Sequence, residues 1–384
     1  MTITEPATTS ADGAFARGIV DTDIHERAEL PALLPYLDPK WHFYITDAGW
    51  IPDRLIPYTQ PLVGGLDRAD AKLPDGRPGG SDLDMTRTQL LDECGISRGI
   101  LTGWLDASAL APGWPEFKTA LMTAYNDWEL ENWVEKEDRL FASIHVNVHD
   151  PAGAVREIDR LGGHPKVVQV IIFSGSVALG DPIYHPIYEA AQRNNLVVGI
   201  HHSENSPTTF GFHRYFIEWH TTVPQVFMSQ AVSLIFNGVF EKYPELKVIM
   251  IEGGFSYVPH LMWRADQQYR ELRAEVPWVK REPSRTIREQ MRFSTQPVEE
   301  FTGKQLETLI GQMESDELIC FSTDYPHWDF DNPLEALPRD LPESLREKLY
   351  VENAEALYEK LPKTVTAGHA SNYAVSIDID SRDC

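Results

Sequence analysis

From residue 18 onward, short apolar runs alternate with longer amphipathic segments. The runs GIVDTDIHE (18–26), ISRGILTG (96–103), LFASIHVNV (140–148) and VVQVIIFS (167–174) read as strands. So do LVVGIHHS (196–203), KVIMIEGG (247–254), MRFSTQPV (291–298) and LICFSTDYPH (318–327). Most of them are almost continuously apolar and then break into a polar cluster, as parallel strands buried on both faces do. Between them, FKTALMTAYNDWELENWVEKE (117–137), PAGAVREIDRLG (151–162), HPIYEAAQRNN (185–195) and TGKQLETLIGQM (302–313) have helical spacing. A further helical pattern, LPESLREKLYVENAEALYEKL (341–361), follows the last strand. Eight strand–helix units predict an α/β fold, a closed (β/α)8 TIM barrel over residues 18–362. The rival, an open doubly wound sheet, usually carries a Gly-rich phosphate turn after its first strand. This chain has DIHE there.

Two stretches break the rhythm. Residues 38–80, after the first strand, are rich in Pro, Gly and aromatics. Connections this long are functional or disordered, and the aromatics argue for a lid over the barrel mouth. Residues 204–236, after the fifth strand, are aromatic and partly helical, and read as a second lid or a dimer contact. Residues 1–17 are small and polar, a flexible N-terminus. The tail, 363–384, ends in AVSIDIDSRDC, which looks like the opening strand and first cysteine of a truncated ferredoxin-like segment. One cysteine cannot hold a cluster.

The net charge of −24, from 58 acidic and 34 basic residues, disfavours nucleic acid and anionic membranes as partners. The three cysteines, Cys94, Cys320 and Cys384, form no CxxC pair, which argues against a disulfide framework or a thiolate zinc site. Cys320 lies in an apolar run and reads as core. The N-terminus lacks the basic start and apolar run of a signal peptide. No apolar window reaches the ~18 residues of a spanning helix. A cytoplasmic setting is expected.

Active sites of such barrels form at the C-terminal ends of the strands. Asp21, Asp23 and His25 alternate on the first strand and share one face. Asp21 reads as a group that satisfies backbone at the strand end. Asp23 and His25, with His201 after the fifth strand and Asp324 after the eighth, make a sensible metal set. Two imidazoles and two carboxylates suit one divalent ion, Zn²⁺ first, with Mn²⁺ or Fe²⁺ as alternatives. Adjacent strand residues face opposite ways, so at most one of His201 and His202 is expected to enter the barrel. His201, nearer the apolar run, is favoured as ligand, and His202 then orients or binds substrate. Glu252, one strand over, is placed to exchange protons with water or substrate. His145 reads as a packed or supporting residue.

These residues, in VDTDIHE (20–26), VVGIHH (197–202), NGVFEKYPELKVIMIEGGFSYVPHLMWRAD (237–266), FSTDYPHWD (321–329) and VENAEALY (351–358), carry a resemblance. The chain resembles the amidohydrolase-related metal-dependent barrels over residues 18–362. It is similar to the branch of aminocarboxymuconate-semialdehyde, resorcylate- and carboxyvanillate-type decarboxylases. The resemblance implies metal ligands at Asp23, His25, His201 and Asp324, a small-molecule substrate and a homodimer. It implies cleavage of a carboxylated cyclic or aromatic substrate, and Glu252, Asp324 and His202, by their positions at the strand ends, are the catalytic candidates. The family often has a histidine where Glu252 stands. An anion there repels a substrate carboxylate, so hydrolysis of an amide or lactone is the alternative, and a metal-free binding barrel a further one.

Overall fold

The computed structural model describes residues 18–48, 66–103, 115–174, 177–203, 206–208, 211 and 213–363. Eight strands appear where the apolar runs predict them. They are β1 (Ile19–Ile24), β2 (Ile96–Leu101), β3 (Leu140–His145), β4 (Val167–Phe173), β5 (Val197–His201), β6 (Val248–Ile251), β7 (Met291–Ser294) and β8 (Ile319–Cys320). They pair in sequence order, each parallel to the next. The ring is completed between its last and first strands by Thr22 N–H to Phe321 O at 3.1 Å, Asp324 N–H to Asp23 O at 3.2 Å and His25 N–H to Tyr325 O at 2.8 Å.

The helices form the outer layer. These are α1 (Pro115–Glu129), α2 (Pro151–Leu161), α3 (His185–Arg193), α4 (Phe216–Thr222), α5 (Pro224–Phe236), α6 (Val258–Leu272), α7 (Pro283–Gln290) and α8 (Gly303–Met313). Their starts follow capping chemistry. Asp150 accepts from the Gly153 amide at 2.9 Å, with Pro151 at the first helical position. Thr302 and Gln305 close a capping box on α8. The pair α6 and α7 lies in a stretch of sequence whose periodicity was not resolved into helices, although Pro259 and Pro283 mark both starts.

After β8 the chain returns beneath the barrel in three consecutive helical turns, Glu343–Glu347, Lys348–Glu352 and Asn353–Leu357. Buried Glu355 meets buried Arg98 of β2 at 2.5 Å, and the same guanidinium reaches Pro362 O at 2.6 Å. Deleting one member of such a buried pair strands the other charge. Glu355→Ala is therefore expected to lower unfolding free energy by about 3–5 kcal/mol, read as the shift in a urea melt. A shift under about 1 kcal/mol removes this role from the pair.

The expected lids are described in part. Residues 49–65 of the first lie outside the described residues, as do 1–17 and 364–384. Within 38–48, Trp41 and Tyr44 pack on Phe117 of α1 at 5.4 and 5.6 Å. Nearer residue 80, Asp67 holds buried Arg27 through two hydrogen bonds and pairs by backbone with His327. The segment after β5 supplies α4 and α5. Its second helix buries Val226, Phe227, Leu234 and Ile235, so much of it is wall rather than cover. Among the described residues, no helix is long and apolar enough to cross a membrane.

Candidate metal centre

The strand ends bring buried ionisable groups together at one mouth of the barrel. Asp21 turns away from them into structural work. Its Oδ1 accepts from the amides of Asp23 and Thr323, and its Oδ2 from the Thr323 hydroxyl at 2.5 Å. Two residues on, Asp23 Oδ1 accepts from Thr102 Oγ1 at 2.5 Å. His25 Nδ1 lies 2.5 Å from Gly103 O. A carbonyl only accepts, so Nδ1 carries the proton and neutral His25 presents a lone pair at Nε2. That lone pair faces carboxylate oxygens, with Asp324 Oδ1 at 3.0 Å and Asp23 Oδ1 at 3.3 Å. Acceptors aimed at acceptors repel unless a cation or a proton lies among them.

His201 repeats the pattern. Its Nδ1 donates to His202 O at 2.6 Å, and its Nε2 comes within 2.5 Å of Glu252 Oε2. The ladder sets Ile251 level with His201, so Glu252 is the first residue beyond the paired strand. His202 Nε2 reaches the other oxygen of Glu252 at 2.9 Å. His327 Nδ1 meets Asp324 Oδ1 at 2.5 Å. Both Glu252 and Asp324 have left-handed backbone, φ 62° and 59°, a conformation uncommon for residues with a Cβ and typical of functional turns.

Burial drives the electrostatics. It pushes Asp23 up to about 8 and Asp324 well above the carboxylate range, with neighbouring carboxylates adding to both. It pulls His25 down to about 3. For His201, burial lowers the pKa, but the Glu252 carboxylate outweighs it and leaves the imidazole up at about 9. For Glu252, burial raises the pKa, but His202 and His201 outweigh it and hold the carboxyl well below its ordinary range.

The ligand-capable atoms of Asp23, His25, His201 and Glu252 lie within 4.8 Å of one another, and so do those of His25, Glu252, Asp324 and His327. Asp23 Oδ2 and Asp324 Oδ2 are buried with no hydrogen-bond partner. Orphaned carboxylate oxygens around imidazole lone pairs fit a divalent ion bound by N and O donors at roughly 2.0–2.2 Å. An ion there needs Asp23 and His201 deprotonated. At pH 7 both hold their protons in the ion-free chain, since their pKa values are about 8 and about 9. Ion binding at pH 7 is therefore expected to release at least one proton, and affinity to rise with pH through the range 8–9 before levelling. Calorimetric titration in two buffers of different protonation heat counts the protons. A count of zero would remove this coupling.

Of the residues picked from the sequence, Asp23, His25, His201 and Asp324 do converge, in two overlapping groups that share His25 and Glu252. Both His201 and His202 reach Glu252, against the expectation that only one enters the barrel. The reason is local: β5 ends at His201, so strand alternation no longer governs His202. Ser294 supports the site by accepting the Glu252 amide at 3.0 Å. Asn147 turns away to Pro115 O and Thr119. Sequence reasoning missed His220 and Asp329, which pair at 3.1 Å. His220 groups with Phe216, Trp219 and Trp328, and Trp219 stands edge-on to His202 at 5.0 Å. The available signal was a second aromatic stretch, WDF, directly after the Asp324 turn.

Comparison with known proteins places the chain's family and fold. The amidohydrolase family model matches residues 41–360. A gamma-resorcylate decarboxylase of Polaromonas sp. is 24% identical over 309 residues, 76% of this chain and 91% of that protein. An amidohydrolase from Mycobacterium avium subsp. paratuberculosis superposes with a TM-score of 0.67 at 19% identity, covering 88% of this chain and 98% of that one. A 5-carboxyvanillate decarboxylase from Novosphingobium aromaticivorans, complexed with manganese and 4-hydroxy-3-methoxy-5-nitrobenzoic acid, gives 0.65 at 15% identity over 91% and 98%. At these identities the structural likenesses speak for the fold.

Proposed function

The chain belongs to the amidohydrolase family, and on that premise we propose that it is a metal-dependent decarboxylase of a small aromatic or cyclic carboxylic acid. The observation that carries the reading is the buried convergence of Asp23, His25, His201, Glu252 and Asp324 at the barrel mouth. The similarity to a gamma-resorcylate decarboxylase supports the choice of reaction. The aromatic group Phe216, Trp219 and Trp328 beside His202 suits a planar substrate. We propose Mn²⁺ or Zn²⁺ as the ion, the carboxylates suiting the first and the imidazoles the second.

Asp23, His25, His201 and Asp324 would hold the ion. When bound, it supplies a fixed positive charge that attracts the substrate carboxylate and an adjacent oxygen and acidifies water. Glu252 and His202, which touch at 2.9 Å, form the proton store. His202, edge-on to Trp219, delivers a proton to the ring carbon that bears the carboxylate. The carbon–carbon bond then breaks, CO₂ leaves, and the bonding pair restores the ring. His202 and the bound ion would also offset the repulsion that anionic Glu252 exerts on an incoming carboxylate.

Anionic Glu252 itself favours the second reading. As a general base it would take the proton of a water attacking an amide or lactone carbonyl. The ion-loaded protein is therefore to be offered hydroxylated benzoic acids, with lactones and amides as a parallel panel. Release of CO₂ from the acids is the expected result. Hydrolysis without CO₂ release would replace the first reading with the second, and inertness toward both panels would remove both.

A further inference from the structure

A second cluster of buried ligand atoms lies behind the first. The ligand-capable atoms of Glu26, Glu129 and His145 lie within 4.8 Å of one another. Glu26 follows His25 on the chain, Glu129 ends α1, and His145 ends β3. All three are at most 1% exposed.

The cluster is built but not satisfied. Neither ring nitrogen of His145 and neither oxygen of Glu129 has a hydrogen-bond partner. The Ser143 amide lies near enough to Glu129 to favour its charge, yet closes no hydrogen bond with either oxygen. Glu26 is held in place: Oε1 accepts from Tyr125 Oη at 2.9 Å and Oε2 from the Gly103 amide at 3.1 Å. The His145 backbone is clamped from both sides by the Asn126 side chain. Among the described residues, no Lys or Arg pairs with either glutamate. Burial without a counter-charge pushes Glu129 well above the carboxylate range and Glu26 up to about 8, so the pair either holds protons or takes a cation.

The imidazole forms no hydrogen bond or ion pair with either carboxylate, yet its ligand atom stands within 4.8 Å of theirs, so a small inward movement of the side chains would let them share an ion at roughly 2.0–2.2 Å. Gly103 lets its backbone approach the cluster closely: a Cβ there would stand 2.5 Å from His145 Nε2 and 3.1 Å from Glu26 Oε1, too close to be accommodated without a shift. Two carboxylates and one neutral imidazole match the charge of a divalent ion and suit the first-row metals. His145, pulled down to about 3 by burial, is in the neutral form a metal needs.

We propose that Glu26, Glu129 and His145 form a second divalent-cation site, separate from the centre at the barrel mouth. Its residues do not overlap those of the first centre, and the assignment is independent of the reaction proposed above. Gly103 touches both: its carbonyl accepts from His25 and its amide donates to Glu26. An ion in the second site therefore braces a ligand of the first through one residue of backbone.

Equilibrium dialysis against Mn²⁺, followed by metal analysis, tests the site. Glu129→Gln preserves shape and removes a charge, and is expected to bind one ion fewer per chain than the wild type. Asp324→Asn is expected to keep one ion, and adding Glu129→Gln to it to remove that ion. Equal content in wild type and Glu129→Gln would overturn the proposal, as would a wild-type count that falls to zero in Asp324→Asn. Circular dichroism checks each fold. If Glu129→Gln does not fold, His145→Asn is read in the same way. If neither folds, Glu26→Gln is read in the same way.

Discussion

Asp324→Asn is expected to empty the barrel-mouth centre and to lower kcat/KM by at least about 10³-fold, with the barrel still folded. The size follows from the role. A bound cation supplies several kcal/mol of transition-state charge stabilisation, and each ~1.4 kcal/mol is tenfold. Asp324 sits 3.0 Å from His25 Nε2, has an unpartnered oxygen aimed into the site, and is fully buried. Asparagine is nearly the same shape but brings no negative charge to set beside the two imidazoles proposed as ligands. Its amide can still meet His327, so the loop has no steric reason to collapse. His25→Ala is expected to act alike, by removing the donor common to both groups of ligand atoms. Metal analysis, circular dichroism and turnover are read together. Full activity in either variant would reject the ligand set.

Glu252→Gln separates chemistry from ion binding. Four donors remain at Asp23, His25, His201 and Asp324, enough for a tetrahedral ion, so metal content is expected to hold. Turnover is expected to fall by about 10²–10⁴-fold, the usual loss when a positioned acid–base group goes. Glutamine keeps the contacts to His201 and His202 in shape, yet cannot exchange a proton. It also ceases to hold His201 up, so the proton released on ion binding is expected to diminish in calorimetry. Unimpaired turnover would take the proton role from Glu252. Loss of metal together with turnover would make it a ligand instead.

Much of the frame can be read from the chain because it rests on local pattern. Strands buried on both faces write themselves as apolar runs, and β1 through β8 fall inside the runs quoted above. Asp23 and His25 could be paired because a strand repeats every two residues. Asp324 and His201 could be added because the barrel collects strand ends on one rim. What periodicity does not govern was harder to see. Glu252 and His202 both lie just past their strands, in backbone that follows no repeat. Their contact is a product of loop geometry. Glu129 was hidden for another reason: within 117–137 it reads as one more polar position of an amphipathic helix. Only the docking of α1 on β3 turns it toward His145. The helices α6 and α7 show their Pro starts, Pro259 and Pro283, but no clean apolar run sets them off from their neighbours.

The hydrogen bond from the Asp324 amide to the Asp23 carbonyl joins the two ends of the barrel's strand order, and the side chains of the same two residues point at the ion centre. A metal held by the proposed ligands would therefore straddle the seam where the sheet meets itself, and act as a clasp linking segments that lie about 300 positions apart along the polypeptide. A chain saturated at a hundred times its dissociation constant gains about 2.7 kcal/mol of stability by mass action, and that gain would fall at the joint between the first and last strands. Chelation would withdraw it together with catalysis, so both would be lost through one event.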